Sequence, residues 1–274
     1  MTGRWARQLV VTVSVEPDDP AVVGGTGCYR ALDGLGRFHA LCRRYAVRPT
    51  YLLTWSAAGE PRCAEWMAAW AEDAEVGAHL HPEEVPPVAD GEADRHTLRA
   101  SEVEPDRLRA KLAHLVERVA EVAGRRPTAY RCGFFDLTPA QMAALVELGI
   151  ECDSSLGPLE KVQGAYPFLR APWAPYALDG ADPRRPGASG LVEVPMTSVF
   201  RRRFPLALAG PYLALPGRVR GALRRLGLAE ILRLRPAGTT AEELIAVCRR
   251  TVRLDIPAVM SVHSNELAVG TCAT

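Results

Sequence analysis

Residues 74–82 read AEVGAHLHP, an apolar run of strand length that ends in two histidines and a proline. A Pro-rich loop follows, so we predict a strand over Ala74–His81 and a loop beside a pocket. Successive side chains of a strand point to opposite faces, so His79 and His81 face the same side. Imidazoles at that spacing suit zinc or a similar divalent ion, although two unrelated surface histidines fit so short a motif equally well.

Similar apolar runs recur on both sides of this stretch, separated by longer segments of helical periodicity. Such alternation is typical of βα units around a parallel sheet, so the sequence predicts an α/β fold. The other predicted strands are Gln8–Val15, Arg48–Thr54, Thr128–Cys132, Ile150–Asp153, Gly190–Pro195 and Ile256–Val262. The predicted helices are Tyr29–Tyr45, Cys63–Trp70, Glu104–Gly124, Pro139–Leu148 after a Thr138 cap, and a segment from Thr239 and Thr240 to Val252.

The length of 274 residues fits a single α/β barrel, which has roughly 250 residues. We therefore expect one domain over residues 1–274, with an arginine-rich insertion at about 201–236. A net charge of +1 gives no general attraction to nucleic acid or membrane. The first apolar run is too short for a signal sequence or a membrane span, and the seven cysteines include no C-x-x-C pair. These features predict a cytoplasmic protein with reduced thiols.

An acid from the first strand is expected to join the two histidines, because the carboxyl ends of parallel strands meet on one face of the scaffold. Glu16, Asp18 and Asp19 follow that strand. Two histidines and one acid would leave metal positions open for water and a substrate carbonyl. Glu16 is the preferred ligand because it continues the alternation from Ser14, and Asp18 is the alternative. An exposed loop acid at Glu16 and a turn at Asp18 and Asp19 are the structural alternatives.

Three more strand ends carry ionisable side chains, namely Arg131, Asp153 and His263. His263 directly follows an apolar strand, so its ring should project into the same site and protonate a leaving amine; a structural histidine is the alternative. Arg131 is expected to orient a carboxylate or stabilise charge, and a structural ion pair fits equally well. Asp153 is expected to cap the chain or to hold Arg131.

The order and spacing of these motifs resemble the NodB-homology polysaccharide deacetylases, also called carbohydrate esterase family four, and especially their cytoplasmic branch with an H-x-H-P signature. The similarity extends from near residue 10 to near residue 270, so it covers almost the whole chain. The stretches that carry it are TVSVEPDDP (12–20), EVGAHLHPEE (75–84), YRCGFF (130–135), ECDSSLGP (151–158), APWAPY (171–176), LVEVPMTSVF (191–200), LRLRPAGTTAEELI (232–245) and MSVHSNEL (260–267).

The resemblance implies a distorted (β/α)7 barrel and a metal-dependent amide hydrolase. In such enzymes a divalent metal, expected to be zinc, activates water and polarises the amide carbonyl. By similarity, Glu16, His79 and His81 hold that metal and His263 protonates the leaving amine. The resemblance also places three aromatic side chains against the substrate, namely Phe134, Trp173 and Tyr176.

The chain departs from the family pattern at Ser14, where relatives usually carry an aspartate that accepts a proton from water. A hydroxyl cannot replace a carboxylate base. Either Asp18 or Asp19 reaches in, or Glu16 is the base while Asp18 binds metal, or the protein is weakly active or altered in its reaction. Among these acids, Asp18 is the one that we predict to be catalytic. The H-x-H-P spacing also differs from the commoner H-x-x-x-H form, which leaves the ligand set open.

The insertion interleaves leucines with arginines, and Glu230 is the only acid between Arg201 and Arg235. This pattern favours a solvated pair of amphipathic helices. A lid over the cleft, a homodimer contact and a site for the phosphates of a nucleotide-linked or lipid-linked sugar are the alternatives. Neither aromatic interleaving nor a recognition motif accompanies the arginines, so nucleic acid is not an expected partner.

The sequence thus predicts removal of an N-acetyl group from an amino sugar or small glycoside, whether free, nucleotide-linked, lipid-linked or part of a natural-product intermediate. One rival is a different reaction on the same scaffold, such as deformylation or epimerisation, to which Ser14 lends weight. The other rival is a metal-binding pseudoenzyme that recognises a glycan without cleaving it.

Overall fold

A computed structural model of the chain describes residues 5, 7–18, 29–95, 97–159, 171–201 and 205–267. The strands are β1 (Leu9–Val15), β2 (Thr50–Leu53), β3 (Glu75–Leu80), β4 (Ala129–Cys132), β5 (Cys152–Asp153), β6 (Tyr176–Ala177), β7 (Val192–Glu193), β8 (Ser198–Phe200), β9 (Ile231–Arg233) and β10 (Ala258–His263). The α-helices are α1 (Leu32–Arg44), α2 (Trp55–Ala58), α3 (Pro61–Ala69), α4 (Pro105–Ala123), α5 (Pro139–Glu147), α6 (Ala209–Ala214), α7 (Gly217–Arg225) and α8 (Ala241–Leu254). Short 3-10 turns follow three strands, at Pro82–Glu84, Gly133–Phe135 and Ser264–Leu267.

Eight strands of the described ranges form one sheet, in the order β10-β1-β2-β3-β4-β5-β7-β6. Neighbouring strands from β10 to β7 are parallel, and β6 pairs antiparallel with β7 at the edge. The sheet curls into a partial barrel with helices on its apolar face, which confirms the predicted distorted α/β barrel. The parallel strands are the seven that the sequence predicted, although each is shorter than expected.

Alternation along β1 separates the apolar core from the polar interior of the barrel. Val11, Val13 and Val15 belong to the main hydrophobic cluster beneath the helices. The hydroxyls of Thr12 and Ser14 lie on the other face and contact a buried arginine side chain from β4. Because side chains of a strand alternate between its two faces, Glu16, just past the end of β1, lies on the same face as Thr12 and Ser14.

The strands β8 and β9 form a second, antiparallel sheet that the sequence reading missed. Segments beside this sheet hydrogen-bond to β10: the Thr197 amide donates to the Val259 carbonyl, and the Ser261 amide donates to the Leu234 carbonyl. The small sheet therefore lies against the edge strand β10. Each of its strands has only three residues, which is too short for a periodicity signal.

Helix ends match the predicted capping signals. Gly124 has a left-handed backbone conformation, with a φ of 65°, and ends α4. The Thr138 hydroxyl accepts from the Gln141 amide at the start of α5, and Thr240 makes the same capping box with Glu243 at the start of α8.

The described part of the insertion, 205–236, contains α6, α7 and β9, while residues 202–204 lie outside the described ranges. Its inner side packs on a small cluster that includes Phe200, Ala209, Tyr212 and Ala229. The two short helices agree with the predicted helical insertion. None of the helices that the structure describes combines the length and the apolar character that crossing a membrane requires.

The helix α1 packs on the 3-10 turn Ser264–Leu267, which follows β10. The contact is close at Gly34, where a Cβ atom would overlap the Leu267 carbonyl group. At Gly36, two positions further along α1, a Cβ atom would meet only the Trp66 ring, at 3.8 Å. A side chain is therefore excluded at Gly34 and tolerated at Gly36.

We expect Gly34→Ala to lower the free energy of unfolding by roughly 1–3 kcal/mol, because the helix must move away from the turn. Gly36→Ala is the matched control and should raise it by about 0.5–1 kcal/mol, since alanine loses less backbone entropy in a helix. Urea unfolding followed by circular dichroism measures both. Equal midpoints for the two variants would contradict the packing described for Gly34.

Candidate metal centre

Glu16, His79 and His81 come together at the carboxyl ends of β1 and β3, and one ligand atom of each lies within 4.8 Å of the others. His79 Nε2 is 3.5 Å from Glu16 Oε1, and His81 Nε2 is 3.8 Å from Glu16 Oε2. The buried Glu16 Oε1 has no hydrogen-bond partner among the described residues. A carboxylate and two imidazoles in this arrangement could hold a divalent metal ion.

The Nδ1 atoms of the two histidines contact acceptors. His79 Nδ1 lies 3.1 Å from the carbonyl oxygen of Arg131, and His81 Nδ1 lies 3.5 Å from Oε1 of Glu83. An acceptor at Nδ1 favours a proton on that nitrogen and leaves the Nε2 lone pair available. Both Nε2 atoms therefore present a lone pair to the space beside Glu16, as metal ligands would.

His263 approaches the same carboxylate from β10, where it is the register partner of Ser14. Its Nε2 is 3.3 Å from Glu16 Oε1, and its Nδ1 is 3.3 Å from Glu266 Oε1. That Glu266 oxygen also accepts a hydrogen bond of 2.7 Å from Arg235 Nε. Three imidazoles thus surround Glu16, and each has an acceptor near its Nδ1 atom.

Charges in the site are strongly coupled. Burial alone would raise the pKa of the Glu16 carboxyl, but the neighbouring histidines, His79 above all, hold it well below its usual range. Burial lowers the pKa of His79 to about 4. Burial opposes charge on His81 too, but contact with Glu83 and the charge of Glu16 raise its pKa to about 9. At neutral pH His81 therefore carries a proton, which a metal ion at Nε2 would displace.

Ser264 fixes the backbone of Glu16. Its buried hydroxyl accepts a hydrogen bond of 3.1 Å from the Glu16 amide and donates one of 3.0 Å to the Glu16 carbonyl. One side chain after β10 thus holds both backbone polar groups of the residue after β1. The carboxylate is therefore anchored where the two strands end.

A fully buried lysine holds the turn that carries Glu83. Lys111 Nζ donates to the carbonyl oxygens of Pro82, at 2.9 Å, and Val85, at 2.7 Å. It also lies 3.1 Å from Glu92 Oε2, which balances its charge. The helix α4 thus fixes the loop after β3 and keeps Glu83 beside His81.

Arg131 extends into the interior of the barrel and is 1% exposed. Its Nε donates to the Ser154 carbonyl at 2.8 Å, and its terminal nitrogens donate to the hydroxyls of Thr12, Ser14, Ser154 and Ser261. Burial lowers the pKa of Arg131 to about 10, which leaves the side chain charged at neutral pH. The expected contact with a carboxylate is thus replaced by contacts with hydroxyls.

Asp153, which the sequence predicts to cap the chain or to hold Arg131, accepts from the amide and hydroxyl of Ser155 and also favours the charge on Arg131. Glu193, its register partner on β7, accepts from the Leu156 amide. Both carboxyls are fully buried and interact with each other. Burial raises both pKa values, that of Glu193 most strongly, so this pair retains a proton more readily than exposed acids do.

Asp18 lies outside the cluster of possible metal ligands. Its two carboxylate oxygens accept hydrogen bonds from the backbone amides of Arg30, at 2.8 Å, and Ala31, at 3.0 Å, just before α1. Unpaired amides at a helix start attract a carboxylate, which explains this position. Each oxygen of the Asp18 carboxylate, the predicted catalytic base, thus already has a backbone partner. Asp19, the other predicted candidate, lies outside the described residues.

Of the three predicted substrate-binding aromatic residues, Phe134 lies at the cluster. Its ring meets that of His81 edge-on, with the centroids 5.3 Å apart. Trp173 donates from Nε1 to the carbonyl of Ser198 on β8, and the Tyr176 hydroxyl donates to the Pro183 carbonyl. The polar groups of these two side chains are thus engaged with backbone.

Glu83, Glu266 and Ser264 are site residues that no sequence motif predicted. Glu83 and Glu266 each lie within three residues of a predicted site histidine, and this proximity was the only available signal. A cavity of about 240 Å³ also lies beside the barrel interior and had no signal in the sequence. It is lined by Phe135, Met196, Thr197, Ser198, Arg233, Leu234, Arg235, Ala237 and Ser261.

Neither a protein-family model nor a curated protein matches the sequence. Solved structures do match: a protein from Mycobacterium smegmatis described as a polysaccharide deacetylase has a TM-score of 0.61 and 18% identity, covering 100% of this chain and 82% of that one. A protein from Parabacteroides distasonis described as a glycoside hydrolase/deacetylase has a TM-score of 0.57 and 13% identity. The match covers 97% of this chain and 64% of that one. Puue allantoinase has a TM-score of 0.53 and 12% identity, and the match covers 98% of this chain and 82% of that one.

These likenesses confirm the NodB-type barrel that the sequence predicted. At such identities they establish the fold alone, and function must be argued from the site. The chain is therefore a protein of this barrel class with a carboxylate and three imidazoles at the carboxyl ends of its strands.

We expect His79→Ala and His81→Ala each to lose bound divalent metal, with an affinity loss larger than the roughly 10–100-fold that a supporting outer contact contributes. Metal analysis after loading and dialysis measures the retained metal. His114→Ala is the control, since this exposed histidine of α4 contacts only the Pro86 carbonyl among its described hydrogen bonds. Full metal content in both site variants would show that the cluster is not the metal site.

Proposed function

We propose that this chain is a metal-dependent amide hydrolase that removes an N-acetyl group from an amino sugar. The observation that carries the proposal is the set of three imidazoles around the Glu16 carboxylate, with Nε2 distances of 3.3–3.8 Å. The barrel supports it, because proteins described as deacetylases share this fold.

Glu16, His79 and His81 are the proposed metal ligands, and zinc is the proposed metal because it favours imidazole and carboxylate ligands. Two features of the chain fit a cation at this position. Glu16 Oε1 is buried without a hydrogen-bond partner among the described residues, and Glu83 adds a second buried acid beside His81. When bound, such a metal would polarise the amide carbonyl and lower the pKa of a water molecule.

His263 is the proposed group that moves the proton. In hydrolysis, a C–O bond forms from water, the amide C–N bond breaks, and one proton passes from water to the leaving nitrogen. A neutral His263 can accept that proton at Nε2 and deliver it to the amine. Glu266 supports this role, because its carboxylate lies 3.3 Å from Nδ1 of the ring and is itself held by Arg235.

The proposed substrate is an amino sugar or small glycoside with an N-acetyl group. Phe134 would provide an apolar wall beside His81, where a sugar face or an acyl methyl group can pack. The H-x-H-P spacing favours the cytoplasmic branch of the family, and we include that location in the proposal.

Ser14 favours a second candidate function on the same scaffold. It is fully buried, and its hydroxyl contacts Arg131 at the position where relatives carry a base. A chain without that carboxylate would hydrolyse amides slowly, catalyse a related reaction such as deformylation or epimerisation, or bind a glycan without cleaving it.

We expect purified, metal-loaded protein to release acetate from at least one N-acetylated sugar or nucleotide sugar in a substrate screen. His263→Ala should lower the rate by about 10²–10⁴-fold, which is the usual contribution of a general acid or base, while keeping its metal. Acetate release and metal content are measured on the same samples. A His263→Ala variant with wild-type activity would remove this residue from the mechanism.

We expect Ser14→Asp to increase the rate of acetate release by about 10²-fold or more, because a carboxylate would stand beside the metal ligands and form an ion pair with Arg131. Ser14→Asn is the control of similar shape without a charge, and it should not increase the rate. A large gain with aspartate identifies a degenerate deacetylase. No gain would favour altered chemistry or glycan binding.

A further inference from the structure

The insertion exposes large apolar side chains to solvent. Five of them expose 36–68% of their surface: Leu208, Leu215, Val219, Leu226 and Leu228. Helix α7 has no buried residue, so its packing on the protein is shallow. Clustered exposed leucines are unusual on a protein surface that contacts only water.

The same segment is strongly basic. Arg218, Arg220, Arg224 and Arg225 lie on α7, and residues 202–229 contain no acid. The next acid is Glu230, whose Oε2 is 2.7 Å from Arg201 Nε. The net charge of +1 for the whole chain therefore conceals a local surface of one sign.

The geometry of α7 brings the apolar and basic groups together. Val219, Ala222 and Leu226 follow one another at intervals of three and four residues, so they lie along one side of the helix. All three are exposed. Arg218 and Arg225 lie next to this stripe on the helical wheel and are exposed as well. We call the exposed residues Leu215–Leu228 the α7 surface.

We propose that the α7 surface binds the face of an anionic lipid membrane. Leucines inserted at the boundary between headgroups and acyl chains would leave water, while arginines beside them contact lipid phosphates. A second copy of the chain suits this surface less well, because a symmetric contact would place arginines against arginines. The inference goes beyond the proposed hydrolase activity and does not depend on it.

Vesicle co-sedimentation of the full chain tests the proposal. The protein should bind vesicles of equimolar phosphatidylcholine and phosphatidylglycerol and should not bind phosphatidylcholine alone. Leu226→Glu should weaken binding about ten-fold or more, since it removes a buried leucine from the contact. Arg218→Gln and Arg225→Gln should each weaken it about five-fold, because each removes one attraction to the anionic surface.

Ile245→Glu is the matched control. Ile245 lies on α8 and is 50% exposed, so the same charge is added to another exposed apolar site, and binding should be unchanged. Thermal unfolding of Leu226→Glu should match the wild type, since Leu226 is 68% exposed. Acetate release from a soluble substrate, assayed in parallel, reports on the hydrolase proposal separately.

Three results would overturn the membrane proposal. The first is no binding to anionic vesicles. The second is equal binding by the wild type and Leu226→Glu. The third is a dimer, seen by light scattering, that Leu226→Glu dissociates, because the α7 surface would then serve a second copy of the chain.

Discussion

A charged guanidinium without access to water organises the interior of this barrel. Arg131 starts from β4 and donates to hydroxyls on β1, on β10 and just after β5, so one side chain joins both sides of the curled sheet. A buried charge is costly unless its donors are satisfied, so these inward positions need oxygen-bearing side chains. The backbone carbonyl of the same residue contacts His79 Nδ1. Barrel closure and the orientation of a site histidine thus share one residue.

The positive charge of Arg131 also limits which acids can lie nearby. The acids that favour its charge are Asp153, Glu193 and Glu16, from the largest effect to the smallest. Position 14, where relatives carry an aspartate, supplies no charge because it is a serine. Burial raises the pKa values of Asp153 and Glu193, so the pair balances the arginine while holding protons more tightly than exposed acids. With a hydroxyl at Ser14, the acids that face the Arg131 charge come from β5, from β7 and from the end of β1.

Much of the barrel could be predicted because its signals are local. Alternation along single strands predicted that Ser14 and Glu16 share one face of the first strand and that His79 and His81 share one face of the third. The parallel order then brought the strand ends together without any knowledge of the loops. The brief strands β6, β8 and β9 gave no such signal, since two or three residues show no period.

Positions set by loop backbone could not be predicted from the same patterns. Asp18 was a plausible base by sequence, but its carboxylate contacts two amides before α1, twelve and thirteen residues away. Glu83 and Glu266 come close to His81 and His263 through the 3-10 turns that follow β3 and β10. Side-chain partners of this kind depend on turn geometry, and a sequence pattern does not specify it.

The turn after β4 shows how rigidly the site is built. Phe134 and Phe135 both have positive φ, at 53° and 57°, which costs on the order of 1–3 kcal/mol for each such residue. A Cβ atom on the preceding Gly133 would come 2.5 Å from the Leu80 carbonyl oxygen and 3.2 Å from the His81 ring, so a glycine is needed there for close packing. Such strain persists only where the surroundings overdetermine the backbone. The site is therefore fixed by tight packing and buried hydrogen bonds, whereas α7 has almost no core of its own, so substitutions on α7 can alter surface contacts without disturbing the histidines.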